Sequence, residues 1–99
     1  MKVHRRYVRE QIKRDPRFAQ DLAAARAEVR LALMIVRLRE ERGWSQRDLA
    51  KKTGIKQPQI ARLEKGGQMP TIETLWRLAD ALNAKVVIGP EQSVEILAA

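Results

Sequence analysis

Apolar residues recur at helical spacing over most of this chain, and a few glycines and prolines mark where the pattern starts and stops. Phe18, Leu22, Ala25 and Val29, then Leu31, Ile35 and Leu38, keep a period near 3.6 between Asp15-Pro16 and Gly43. Asp15 reads as an N-cap, with Pro16 at the first helical position, where its missing N–H is no loss. One long helix is predicted, with room for a bend or break between Glu28 and Leu33. Two short helices follow. Ser45 caps the first, Asp48 completes a capping box, and Leu49 and Ala50 turn inward. Gly54 ends it in the left-handed conformation, and Ile55 drops into the core behind it. The second has Ile60 and Leu63 on its inner face and Gln57, Gln59 and Arg62 on its outer face.

Gly66-Gly67-Gln68-Met69-Pro70 then reads as a loop, and Thr71 caps a fourth helix whose Ile72, Leu75, Ala79 and Leu82 face the core up to Asn83. The pattern changes at Lys85 to Ile88, a β-branched run closed by Gly89-Pro90, with a second apolar run at Val94 to Leu97. The tail is expected to form a hairpin or two edge strands. A two-stranded ribbon is marginal alone in water, so pairing with its copy across a dimer is also expected. At the other end, residues 1–14 carry Lys2, Arg5, Arg6, Arg9, Lys13 and Arg14 against the single acid Glu10. Val3, Tyr7, Val8 and Ile12 make a weak helical stripe there, compatible with a short helix or with disorder.

Two short helices joined at one glycine, the second starting with amides, is the arrangement that presents a helix to the DNA major groove. Residues 45–65 closely resemble the helix-turn-helix of the Xre family, which includes the phage repressors and Cro proteins. From Ile35 to Leu82 the order Ile-x-x-Leu-Arg-x-x-x-Gly-x-Ser-Gln-x-x-Leu-Ala, Gly-Ile, Ile-x-x-Leu-Glu-x-Gly, Pro-Thr-Ile-x-Thr-Leu and Leu-Ala-x-Ala-Leu follows that family almost position by position. The resemblance implies an all-α fold: a lambda-repressor-like domain over residues 31–84, a helical N-terminal extension over 1–30, and a short β segment over 85–99. It further implies a homodimer on a palindromic double-stranded DNA operator, with half-sites about 34 Å apart.

Candidate DNA contacts follow from the chemistry of each position. Gln46 starts the first motif helix, where a side-chain amide and exposed backbone N–H groups together meet a phosphate, as the matching glutamine does in the family. Gln57 begins the second, and its amide offers an acceptor and a donor in one plane, suited to adenine N6 and N7. Arg62 is placed to reach guanine or a phosphate, and Gln59 a base edge or the backbone. Lys56, Lys65 and Gln68 are candidates for phosphate contact, with Arg47 and Lys51 behind them. The family often has small hydroxyl residues where Lys56 and Pro58 stand, so its operators do not transfer to this chain. Arg39 and Glu64 occupy positions that form a buried ion pair in phage repressors, a structural role. Trp44 and Trp76 are expected in core or edge packing; Trp76 lies off the inward stripe and is also a candidate dimer contact.

Composition narrows the alternatives. Ninety-nine residues with 44% hydrophobic content make one compact domain plus an appendage, and a net charge of +8 suits a phosphate-rich partner. There is no cysteine, so disulfides and thiolate metal sites are excluded. The single histidine, His4, sits in the basic arm; no nucleophile with a base, metal-ligand spacing or glycine-rich phosphate loop is present. The chain therefore reads as a non-enzyme without cofactor or metal. Its longest apolar run, Leu31 to Val36, is too short for a bilayer and no hydrophobic signal region precedes it, so a cytoplasmic protein is expected.

The front third also resembles the extension of Xre-family antitoxins of the HigA type, in Asp-Pro-Arg-Phe, the alanine- and arginine-rich helix, and Leu-Ala-Leu-Met-Ile-Val-Arg-Leu-Arg-Glu. That resemblance implies an antitoxin that neutralises a small messenger-RNA endonuclease toxin of the RelE/HigB type and represses the shared operon. Phe18, Leu22, Ala25 and Val29 then either grip the toxin or simply cover the core. Residues 1–36 hold nine Lys or Arg and four Asp or Glu, a net of +5 that opposes docking to a basic toxin. A free-standing Xre-family regulator with a DNA-clamping arm is the alternative, and an adaptor using the fold for protein contacts a third.

Overall fold

The computed structural model describes residues 9–10, 15–90 and 93–99. The apolar stripe expected at Val3, Tyr7, Val8 and Ile12 and the histidine at position 4 lie outside them. Among the described residues Arg9 and Glu10 are helical, and four longer helices follow: α1 (Pro16–Glu41), α2 (Gln46–Thr53), α3 (Gln57–Lys65) and α4 (Ile72–Leu82). Two strands follow, β1 (Ala84–Ile88) and β2 (Val94–Ala98), paired antiparallel with Val86 opposite Ile96.

Helix α1 is the longest element, 26 residues or about 39 Å. The Asp15 side chain caps it through the Arg17 N–H at 2.9 Å. It runs unbroken through residues 28–33, where a bend or break was allowed, because no glycine or proline interrupts residues 17–42 and Ala27, Leu31, Ile35 and Leu38 all stay buried on one side. Among the described residues its first half lies beside the hairpin turn, with Ala23, Arg26 and Ala27 near Pro90 and Ser93, and its middle beside the end of α3. Gly66 approaches Val29 closely: a Cβ on Gly66 would lie 3.5 Å from Val29 Cγ2.

The core is formed by Leu31, Ile35 and Leu38 of α1, Leu49 of α2, Ile60 and Leu63 of α3, and Leu75, Leu78 and Leu82 of α4, closed by Ile55 and Ile96. Ile72 is a correction: it is exposed. It stands at the first position of α4, a turn ahead of Leu75, and helical side chains lean back toward the N-terminus, so it points past the edge of the core. Asn83 ends α4 with a positive φ of 50° and feeds β1 directly. Ile96 is the buried anchor of the hairpin, with Ala84, Val86 and Val94 packed beside it against the core. The two tail strands pair with each other along one edge, and Ala99 N–H returns to Asn83 O at 3.1 Å.

The turn between α2 and α3 fixes the relation of those two helices. Ser45 Oγ accepts from Asp48 N–H at 3.1 Å, and Ser45 N–H donates to Asp48 Oδ2 at 2.8 Å, the reciprocal box the spacing predicts. The Ser45 backbone N–H holds the Asp48 carboxyl below the usual carboxylate range. That stabilisation is present above the ordinary carboxylate pKa and is lost as pH falls through the lowered value. At the far end Gly54 takes φ 75°, which an L side chain adopts only at a cost. Thr53, buried, donates its hydroxyl to Leu49 O at 2.8 Å and accepts from Ile55 N–H at 3.1 Å, so the turn is tied on both sides. Ser45→Ala should lower stability by about 1 kcal/mol, read as a urea midpoint shift with unchanged slope. An unchanged midpoint would mean that packing alone holds the start of α2.

Candidate functional site

Helices α2 and α3 are short, and their N-termini are brought side by side with the amides of Gln46 and Gln57 in contact. Gln57 Nε2 donates to Gln46 Oε1 at 3.1 Å, and Gln46 Nε2 donates to Glu64 Oε1 at 3.0 Å. Glu64 in turn accepts from Arg39, Nε to Oε2 at 2.7 Å and Nη2 to Oε1 at 2.8 Å. Arg39 Nη1 finishes the line on Trp44 O at 2.8 Å. Both amides donate toward Glu64 and Arg39 donates to the same carboxylate from the other side, so the line converges on an ion pair whose side chains are 5% (Glu64) and 13% (Arg39) exposed. Its hydrogen bonds with Glu64 raise the Arg39 pKa against the opposing effect of burial, so the guanidinium stays charged at any working pH. The pair expected from sequence is thus present and bidentate.

Around this line the other expected residues are arranged as their helix positions dictate. Lys56, Arg62, Lys65 and Gln68 are exposed, while Gln46, Gln57 and Gln59 are half-buried. Among the described residues, Lys56, Arg62 and Lys65 take part in no ion pair, so their charge is open to a ligand. Pro58 sits in the first turn of α3, and Lys56 caps the helix with no side-chain hydrogen bond, which leaves the N-terminal N–H groups of α3 without a side-chain acceptor. Chemically the face offers paired amides, two helix N-termini and unpaired cations, a set that suits phosphates and base edges.

The two tryptophans part ways. Trp44 packs against the core with Lys52 Nζ 4.5 Å and Arg42 Cζ 5.9 Å from its ring centre. Arg42 also donates to Leu38 O at 2.8 Å and to Leu82 O, joining the ends of α1 and α4. Trp76 is 66% exposed, which corrects the packing role expected for it: it lies about 100° round α4 from the inward stripe. It borders a shallow groove with Arg77, Asp80, Ala84 and Val86.

A second face runs along α1. Phe18 and Leu22 are half-buried, and Ala25 and Val29 are exposed, so these four do not cover the core. Leu33, 64% exposed, and half-buried Val36 continue the same line, which spans about five turns at 3.6 residues per turn. It lies roughly 150° round the helix from Ala27, Leu31, Ile35 and Leu38. Helix α1 is thus apolar on two faces. Leu33 and Val36 keep the spacing of the preceding four, but they fall inside the continuous apolar run Leu31 to Val36, which hides the face each belongs to. Among the described residues no helix is long and apolar enough to cross a membrane.

Comparison with known proteins places the same residues in context. The helix-turn-helix model HTH_3 matches residues 35–87, more than half of the chain. The HTH-type transcriptional regulator SutR of Escherichia coli is 37% identical over 65 residues, 64% of this chain and 36% of its own length. Antitoxin HigA1 of Mycobacterium tuberculosis is 36% identical over 80 residues, 81% of this chain and 54% of its own. A crystal structure of an HTH_3 family transcriptional regulator from Vibrio cholerae superposes with a TM-score of 0.60 at 32% identity, covering 63% of this chain and 35% of that one. The chain thus spans about a third to a half of the length of these relatives.

Proposed function

Because the chain belongs to the HTH_3 (Xre/Cro/C1-type) helix-turn-helix family, we propose that it is a sequence-specific DNA-binding repressor, and that it serves as the antitoxin of a type II toxin–antitoxin pair. In this reading a homodimer sets two α3 helices in successive major grooves of a palindromic operator. Gln46 meets a phosphate, Gln57 reads adenine, Gln59 and Arg62 contact base edges or backbone, and Lys56, Lys65 and Gln68 hold phosphates. No catalysis and no cofactor enter. The exposed Trp76, beside the β1 groove, is the proposed dimer contact. The observation that carries the DNA reading is the juxtaposed pair of amides at two helix N-termini, flanked by cations that pair with no carboxylate among the described residues.

The antitoxin reading rests on the front of the chain. An 80-residue match in a chain of 99 cannot avoid residues 20 to 80, so the likeness to HigA1 extends into α1 ahead of the family domain. That segment carries the outer apolar line, with Phe18, Leu22, Ala25 and Val29 as the proposed contacts to a RelE/HigB-like toxin. The free-standing regulator is favoured by one observation, the net charge of +5 over residues 1–36, which opposes a basic partner. Co-expression with the product of the adjacent reading frame separates the two. Growth rescue and co-purification are expected for the full chain and at least tenfold weaker capture for Ala25→Asp with Leu33→Asp, two exposed changes that leave the core intact. A harmless neighbour that does not co-purify would leave the plain regulator.

A further inference from the structure

The hydrogen-bond line from Gln57 to Arg39 has a direction, and the direction is imposed from its buried end. A carboxylate is an acceptor only, so the Gln46 amide must turn its Nε2 toward Glu64. With the nitrogen committed, Gln46 offers Oε1 to Gln57, and Gln57 must answer with its own Nε2. What remains on Gln57 for a ligand is its Oε1 and the second Nε2 hydrogen, an acceptor beside a donor. Were the Gln46 amide reversed, its Nε2 would face Gln57 and engage Oε1 there, leaving both Gln57 Nε2 hydrogens free, two donors where the observed orientation has one. The first presentation matches adenine, which has a donor at N6 and an acceptor at N7. The second matches guanine, with acceptors at O6 and N7.

We infer that Glu64, held by Arg39 and out of reach of DNA, determines which base Gln57 prefers, by fixing the orientation of the Gln46 amide and through it that of Gln57. This rests on the reading of Gln57 as a base contact. Glu64 is a positioning residue here. Arg39 has two tasks in the relay: it holds the carboxylate in place with two bonds, and it neutralises a charge that would otherwise repel the phosphate approaching Gln46. One Gln46 Nε2 hydrogen is left over for that phosphate, so carboxylate and phosphate can both accept from the same nitrogen and reinforce one orientation. The arrangement exists before any DNA arrives, so the reading amides are pre-organised.

The test compares duplexes selected from a random library by the wild type, by Gln57→Ala, and by the double variant Arg39→Met with Glu64→Met. The double variant replaces the pair by apolar side chains of similar length, a change that buried ion pairs often tolerate, and thermal melting confirms that it folds. The wild type should prefer adenine at one position per half-site, and Gln57→Ala should abolish that preference. The double variant should lose about tenfold of the adenine-over-guanine discrimination there while keeping its preferences elsewhere. Glu64→Gln, nearly identical in shape, is the second variant and should lose at least about threefold at the same position. Uniform weakening with the preference intact would reduce Glu64 to a structural role and overturn the relay while leaving DNA binding in place. A wild type that enriches no duplex would instead overturn the DNA-binding reading, and the relay with it.

Discussion

Glu64→Ala should lower stability by about 3–5 kcal/mol, because it leaves the Arg39 guanidinium nearly buried with two of its donors unpaired. At roughly 4–8 °C per kcal/mol for a chain of this size, the melting temperature should fall by more than about 10 °C. Arg39→Ala should cost a similar amount, since it strands the carboxylate with only the Gln46 amide as donor. The double change to methionine should be far milder than either single one, because it removes both charges and keeps the volume. Urea melts of the three variants decide the point. Single changes that each cost under about 1 kcal/mol would show that water reaches the pair and screens it.

Removing three cations at once should produce the largest effect on binding. Lys56, Arg62 and Lys65 are exposed and free of ion pairs among the described residues, so each is available to a phosphate. Each neutralised phosphate contributes about 0.9 to the slope of log affinity against log salt. Lys56→Ala with Arg62→Ala and Lys65→Ala should therefore flatten that slope by about 2.7 and weaken binding about a hundredfold near physiological salt. Titrations of a selected duplex at several salt concentrations measure both. A slope that falls by less than one would take these residues off the backbone. A normal slope with relaxed preference at one position would mark Arg62 as a base contact and nothing more.

Much of the fold was legible because its signals are local. Asp15-Pro16, the Ser45–Asp48 box, Gly54, Thr71 and Asn83 each act within one helical turn, and every one of them begins or ends a helix where its chemistry requires. The inward stripes of α2 and α3 were legible for the same reason. The pairing of Arg39 with Glu64, 25 residues apart, was reached through family resemblance rather than through spacing. Ile72 escapes the periodicity because a pattern says which way a residue faces but nothing of how far the neighbouring elements extend. Packing is expected of Trp76 because it lies off the outer face of the recognition helix, but its place off the inward stripe of α4 leaves it exposed at the rim of the groove beside β1.

The sequence by itself determined the helices, their ends, the helix-turn-helix and the basic character of its outer face. These depend on backbone sterics, capping hydrogen bonds and composition, all fixed within a few residues. Only the tertiary structure decided that α1 runs unbroken from the extension into the core, that Val29 and Leu33 on its outer apolar line stand exposed, and that the tail strands pair with each other. It alone decided that Gln57, Gln46 and Glu64 join in one directed line, because that depends on two helix N-termini and a buried carboxylate meeting within 3.1 Å. Short-range chemistry sets each element, but burial and the direction of a hydrogen bond between distant side chains depend on what the rest of the chain brings against them.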